Sequence, residues 1–90
     1  MKVEWDPQKA EANYKKHRVR FSDAESALFD PFALSKEDHD IESEKRFVSI
    51  GADSIGRIVV VVYTYRGDSI RMISARKATS GERKHYEKGI

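Results

Sequence analysis

The strongest pattern in the chain is an unbroken β-branched run, Ile58 to Val62, followed by Tyr63-Thr64-Tyr65. Such residues are stiff at χ1 and fit a pleated surface, and continuous rather than alternating hydrophobicity predicts a strand covered on both faces. Arg66-Gly67-Asp68 then reverses the chain, and Ser69 to Arg76 supplies a partner strand. With Gly67-Asp68 as a tight turn, Tyr63 lies opposite Met72 and Val59 opposite Arg76. Period-two alternation puts Val59, Val61, Tyr63, Met72, Ser74 and Arg76 on one face, and Val60, Val62, Thr64, Arg71, Ile73 and Ala75 on the other. Each face then carries an arginine among apolar neighbours, which suits anion binding.

Upstream, Met1 to Trp5 reads as a short strand. Asp6-Pro7 is a helix start, with an acceptor for free N–H groups and a preorganised first position. The helix runs to about His17, and Ala10, Tyr14 and His17 share a face. Arg18 to Phe21 is extended. Ser22-Asp-Ala-Glu25 has the form of a capping box opening a short second helix, with Ala24, Ala27 and Leu28 inward, until Asp30-Pro31 ends it. Phe32 to Ser35 predicts a strand, Lys36 to Lys45 an acidic loop, and Phe47, Val48 and Ile50 another strand turning at Gly51 to Gly56. Thr79-Ser-Gly-Glu82 is a second capping box, starting a helix through about Lys88 that Gly89 stops. Tyr86 is its single large apolar residue apart from Ile90. The helix is therefore expected to pack weakly, with Arg83, Lys84 and Tyr86 outward.

Ninety residues form one domain, 1–90, with a modest core. The absence of cysteine excludes disulfides and zinc–thiolate sites. No apolar N-terminal run resembles a signal peptide and no stretch is long enough to span a bilayer, so the cytoplasm is the expected compartment. The net charge of +2 hides an asymmetry. Residues 1–45 hold 8 basic and 11 acidic side chains, net −3; residues 46–90 hold 9 and 4, net +5. The basic half is rich in arginine, whose fork matches phosphate. The plainer alternative is a solvated face that keeps the protein soluble.

Trp5-Asp6-Pro7, Lys9, Asn13, Lys16-His17, Phe21, Asp30-Pro31, Arg46, Gly51, Val60 to Thr64, and Ile70 to Thr79 with Glu82-Arg83 and Tyr86 carry a resemblance along nearly the whole chain. In that order they resemble the BrnT family. The resemblance implies the toxin of a type II toxin–antitoxin module and a ribonuclease. It also implies an α+β, RelE-like fold: a small antiparallel β-sheet with, on the element order above, two N-terminal helices and a C-terminal helix. A BrnA-type antitoxin is implied as partner, blocking the toxin and binding operator DNA, usually as a heterotetramer. One position departs from the family pattern: the Lys-His pair is usually followed by Gly, and here by Arg18.

Metal-independent RNA cleavage uses the substrate's own 2′-hydroxyl as nucleophile and requires no cofactor. Preorganised cations on the phosphate are its largest expected contribution, with acid–base help beside them. The catalytic candidates are Lys16, His17, Arg46, Arg71 and Arg76; the RNA-binding candidates are Lys77, Arg83 and Tyr86. Each has a plainer reading. His17 serves a helix C-terminus by favouring its dipole. Arg76 pairs with Glu82, Arg71 has a structural partner, and Glu42 or Glu44 neutralises Arg46. Tyr86 either stacks on a base beside Arg83 or anchors its helix to the sheet. Tyr63 is expected in the core and Tyr65 nearer solvent. His39 between Asp38 and Asp40 reads as a solvated loop rather than a metal cluster, and His85 as surface. Two other functions remain open at this point: a non-catalytic nucleic-acid-binding module, and a structural partner of a DNA-binding protein.

Overall fold

The computed structural model describes residues 1–38 and 45–89. The elements in chain order are β1 (Lys2–Glu4), α1 (Pro7–His17), α2 (Phe21–Ala24) continuing into a 3-10 turn (Glu25–Phe29), β2 (Leu34–Asp38), β3 (Arg46–Ala52), β4 (Ile58–Arg66), β5 (Ser69–Lys77) and α3 (Ser80–Lys88). The strands form one sheet in the order β1-β5-β4-β3-β2. The fold is α+β, but the sheet is mixed rather than antiparallel. β1 runs parallel to β5, with Val3 beside Ile70, while the other pairs are antiparallel. No hairpin joins β1 to β5, so its direction is set by where α1 must start.

Tyr63 does face Met72, but a bulge between Val62 and Tyr63 shifts everything beyond it by one residue. Val59 faces Lys77, and Arg76 faces Val60. The extra residue in β5 moves Ala75 onto the face of Val59, Val61 and Met72, and sends Ser74 and Arg76 to the opposite one. Arg71 and Arg76 therefore share a face, where unbroken alternation had divided them. Ala75 is fully buried in the core with Val59 and Val61.

That packed face is covered by the N-terminal helices. Val19, Phe21, Ala24 and Ala27 meet Val59, Val61, Tyr63, Ile70, Met72 and Ala75, and the Trp5 ring sits edge-on to Phe21 with centroids 6.0 Å apart. The layers approach so closely that a Cβ on Gly51 would stand 2.6 Å from the Ala27 carbonyl oxygen. Tyr63 is buried and Tyr65 exposed.

Helix α1 starts as expected, with the Asp6 carboxylate accepting from the Gln8 N–H. The capping box at Ser22 does not form. Helix α2 begins two residues earlier, with Arg20 as its N-cap and no side-chain cap, because Phe21 is drawn into the core. Asp23 instead accepts from the Ser54 N–H and hydroxyl. After Asp30 the chain turns, its carboxylate accepting from the Phe32 N–H. This postpones β2 to Leu34 and leaves Phe32 exposed. Lys36 to Asp38, expected in a loop, are the second half of β2; an edge strand tolerates their charge. His39, Asp40, Glu42 and Glu44 lie outside the described residues.

Arg18 closes α1 in the left-handed region, φ 59°, with its N–H donating to the Tyr14 carbonyl. A glycine, which the resemblance leads one to expect at this position, would suit this backbone, since a Cβ is disfavoured here. Arg18→Gly is expected to stabilise the fold by about 0.5–1 kcal/mol, after allowing for the lost contact of its guanidinium 5.4 Å from the Tyr14 ring. Thermal unfolding checks it; a fall in midpoint would contradict this reading of the strain.

Candidate functional site

The opposite face of the sheet is open along much of its length. Val48 on β3 lies beside Val62 on β4 and Lys36 on β2; Ile50 lies beside Val60 and Leu34. Next to Val60 and Val62 come Arg76 and Ser74 of β5, and next to Thr64 comes Arg71. Arg46 opens β3 opposite Asp38, one step before the Phe47–Tyr63 pair, which places it at the Thr64 end of the same face. The Thr64 hydroxyl donates to the Lys45 carbonyl at 2.6 Å and fixes that end. Three arginines from two strands, Arg46 of β3 and Arg71 and Arg76 of β5, thus flank an apolar strip. Arg71 and Arg76 are separated by the four-residue step from Thr64 to Val60, about 13 Å at roughly 3.3 Å per residue.

The Arg76 guanidinium is held by Glu82, Nη1 and Nη2 donating to its two carboxylate oxygens at 2.8 and 2.9 Å. The ion pair weighed from sequence is therefore present. The same carboxylate completes the capping box of α3: Glu82 accepts from the Thr79 N–H at 2.9 Å, and the Thr79 hydroxyl accepts from the Glu82 N–H at 3.2 Å. One acid thus both starts the helix and orients the arginine, whose side chain stays 41% exposed and able to meet a ligand. The hydrogen bonds from Arg76 and the Thr79 backbone hold the Glu82 carboxyl down at about 2, against an ordinary value of 4.5. A depressed carboxyl contributes stability above its unfolded value, lost as pH falls through the folded one. Folding stability is therefore expected to fall between about pH 4.5 and 2, by about 1 kcal/mol from this group once solvent exposure of the pair is discounted. Urea unfolding at several pH values measures it, and Glu82→Gln should remove that part of the slope.

Tyr86 corrects an expectation. It does not face outward: the ring is 6% exposed, and its hydroxyl donates to the Asp30 carboxylate at 2.5 Å. A helix with one large apolar residue spends it on the sheet, and the phenol finds an acceptor that local sequence does not reveal, since Asp30 is 56 positions away. The bond to Asp30, aided by desolvation, pushes the Tyr86 hydroxyl up to about 12. Desolvation opposes ionisation of Asp30, but hydrogen bonds from Tyr86, Ala52 and Phe32 outweigh it and hold this carboxyl below its usual value. Tyr86 is thus the anchor, and it offers no ring face for base stacking.

Anchored there, α3 walls a cleft of about 480 Å³ over the open face, lined by Lys36, Asp38, Val48, Ile50, Val60, Arg76, Gly81, Glu82 and His85. A second cleft, of about 530 Å³, lies at the strand ends and is lined by Arg57, Lys77, Ala78, Arg83 and Glu87 among others. Lys77 and Arg83 therefore line one cleft, and Arg57 joins them unexpectedly. Arg57 is fixed by Asp53 at 2.8 Å and donates to the Arg18 carbonyl at 3.1 Å. Lys16 is exposed and His17 half-buried, just before Arg18 on the layer behind the sheet. Asn13 of that helix is bonded to the Ala75 backbone on the packed face. The structure does not bring His17 to Arg76. Asn13, Asp30, Arg57 and His85 are the residues that sequence reasoning left without these roles; the first three bond to groups far along the chain, and His85 comes to the cleft of Arg76 only through the fold. Among the described residues, no helix is long and apolar enough to cross a membrane.

Comparison with known proteins agrees with this geometry. The crystal structure of the Brucella abortus ribonuclease toxin BrnT is similar, with a TM-score of 0.65 and 28% identity, covering 89% of this chain and 99% of that one. A search of curated proteins finds no match. The profile of the family described as "Ribonuclease toxin, BrnT, of type II toxin-antitoxin system" matches residues 5–82. A match over most of the domain decides membership: this chain belongs to the BrnT family of ribonuclease toxins of type II toxin–antitoxin systems.

Proposed function

We propose that this toxin is a metal-independent endoribonuclease of the cytoplasm, RelE-like in its design, which cleaves cellular RNA and so arrests translation. The observation that carries the reading is the gathering of Arg46, Arg71 and Arg76 on one open sheet face. Arg76 meets the scissile phosphate, oriented by Glu82, while Arg71 and Arg46 take the strand further along. As the 2′-oxygen bonds to phosphorus and the 5′-oxygen leaves, charge grows on the non-bridging oxygens, and fixed guanidinium groups are worth most there. Lys77 and Arg83 hold flanking phosphates at the strand ends. Lys16 and His17 lie behind the sheet from Arg76, so their part is RNA contact rather than proton transfer. A BrnA-type antitoxin neutralises the toxin by covering the arginine face, in a heterotetramer that reaches operator DNA through the antitoxin.

The test uses toxin freed of antitoxin and incubated with RNA in EDTA. Degradation to fragments ending in a 2′,3′-cyclic phosphate, with DNA untouched, is the expected result. Intact RNA with retained nucleic-acid binding would instead favour the non-catalytic module. Co-expression with the neighbouring open reading frame should restore growth.

A further inference from the structure

We infer that His85 is the proton carrier of the reaction, taking the 2′-hydroxyl proton of RNA held at Arg76; this rests on the ribonuclease reading above. Three observations meet at this residue. His85 is exposed on the helix turn following Glu82, and its side chain lines the same cleft as Arg76 and Glu82. The floor of that cleft is Val48, Ile50 and Val60, an apolar surface on which a sugar or base can rest without competing for the cations. His17 lies in the layer behind the sheet, and His39 lies outside the described residues, so among the described histidines His85 is the one that shares a cleft with an arginine of the open face.

Placement of the imidazole is set by the fold rather than by chance on a surface helix. Tyr86, the next residue, is locked to Asp30, and Glu82, one turn earlier, is locked to Arg76 and Thr79. Two pinned neighbours fix the rotation of α3 and present His85 to the cleft. The charged groups facing it are Lys36 and Asp38 on β2, Arg76 on β5 and Glu82 on its own helix. Both Glu82 oxygens accept from Arg76, which leaves the imidazole as the better-placed base. In the step itself, the 2′-oxygen forms its bond to phosphorus as His85 takes its proton. The P–O5′ bond breaks, and the departing oxygen keeps the electron pair and is protonated by solvent water. A cyclic phosphate and a 5′-hydroxyl result. His85 lies three residues beyond the stretch matched by the family profile, so the assignment rests on this chain's own geometry.

Single-turnover cleavage of a short RNA by the released toxin, from pH 5 to 8, tests it. His85→Ala and His85→Gln are expected to lower the rate about 10²-fold and to flatten the acidic limb of the pH profile. Affinity for the same RNA carrying a 2′-deoxy sugar at the cut should hold within about twofold, and added imidazole should partly restore the Ala variant. Because His85 is exposed, both variants should keep the wild-type thermal midpoint. If they cleave at the wild-type rate with the limb intact while Arg76→Ala is inactive, the His85 assignment falls and the ribonuclease reading stands. If the wild type leaves RNA whole, both fall together.

Discussion

Asn13→Leu should be among the most damaging single substitutions in this protein, costing about 4 kcal/mol. The Asn13 amide donates to the Val19 carbonyl at 3.0 Å and the Ala75 carbonyl at 2.8 Å, and accepts from the Ala75 N–H at 3.1 Å. It is 8% exposed, in contact with the core, and it sews α1, the segment before α2 and the bulged part of β5 together. Leucine matches its size but strands two carbonyls and one N–H away from water. Each such orphan costs about 1–3 kcal/mol, and relaxation recovers part of the sum. Domains of this size hold about 5–15 kcal/mol in all, so much of the variant should be unfolded near body temperature. Urea titration reads this as a lower midpoint at unchanged slope. A loss under about 1 kcal/mol would mean that water or a backbone shift repairs the seam.

The largest expected functional effect is at the arginines. Arg76→Ala should lower RNA cleavage about 10²–10³-fold, the range for removing one preorganised donor from a developing oxyanion. Glu82 keeps its bonds to Thr79 in that variant, so α3 should stay capped and the thermal midpoint should move little. Arg76→Lys should recover only part of the rate, since an ammonium cannot reproduce the fork. Arg46→Ala and Arg71→Ala, further along the face, should weaken RNA binding and reduce its salt dependence more than the chemical step. Cleavage rates and salt titrations for the three variants separate the roles. Equal, full toxicity of all three, each shown to be folded, would remove the basis of the mechanism.

Much of the architecture was legible because its signals are local. Asp6-Pro7 starts α1, Thr79 with Glu82 starts α3, and Gly67-Asp68 turns the central hairpin; each depends on residues within a few positions. The misread parts depend on distant partners. Ser22 with Glu25 has the form of a cap, but the pull of Phe21 into the core decides where α2 begins. Stacking and anchoring stayed open for Tyr86 because Asp30 becomes its neighbour only in the folded chain. Among site residues, Arg76 and its tie to Glu82 were readable, whereas its face was not. Period-two counting cannot see an extra residue, and nothing in Ile73-Ser74 announces one.

Removing Ile73 by deletion would separate the bulge from the parity it enforces. The ladder would regain even spacing with Ser74, Ala75 and Arg76 still opposite Val62, Val61 and Val60, so the guanidinium would keep its place in solvent. A ladder that kept Ile73 but ironed out the bulge would do the opposite, carrying Arg76 under the N-terminal helices and Ala75 out of its niche. The arginine face is thus indexed by backbone count as much as by chemistry: the parity of β5, and not the identity of the bulged side chain, keeps the charge out of the packed layer.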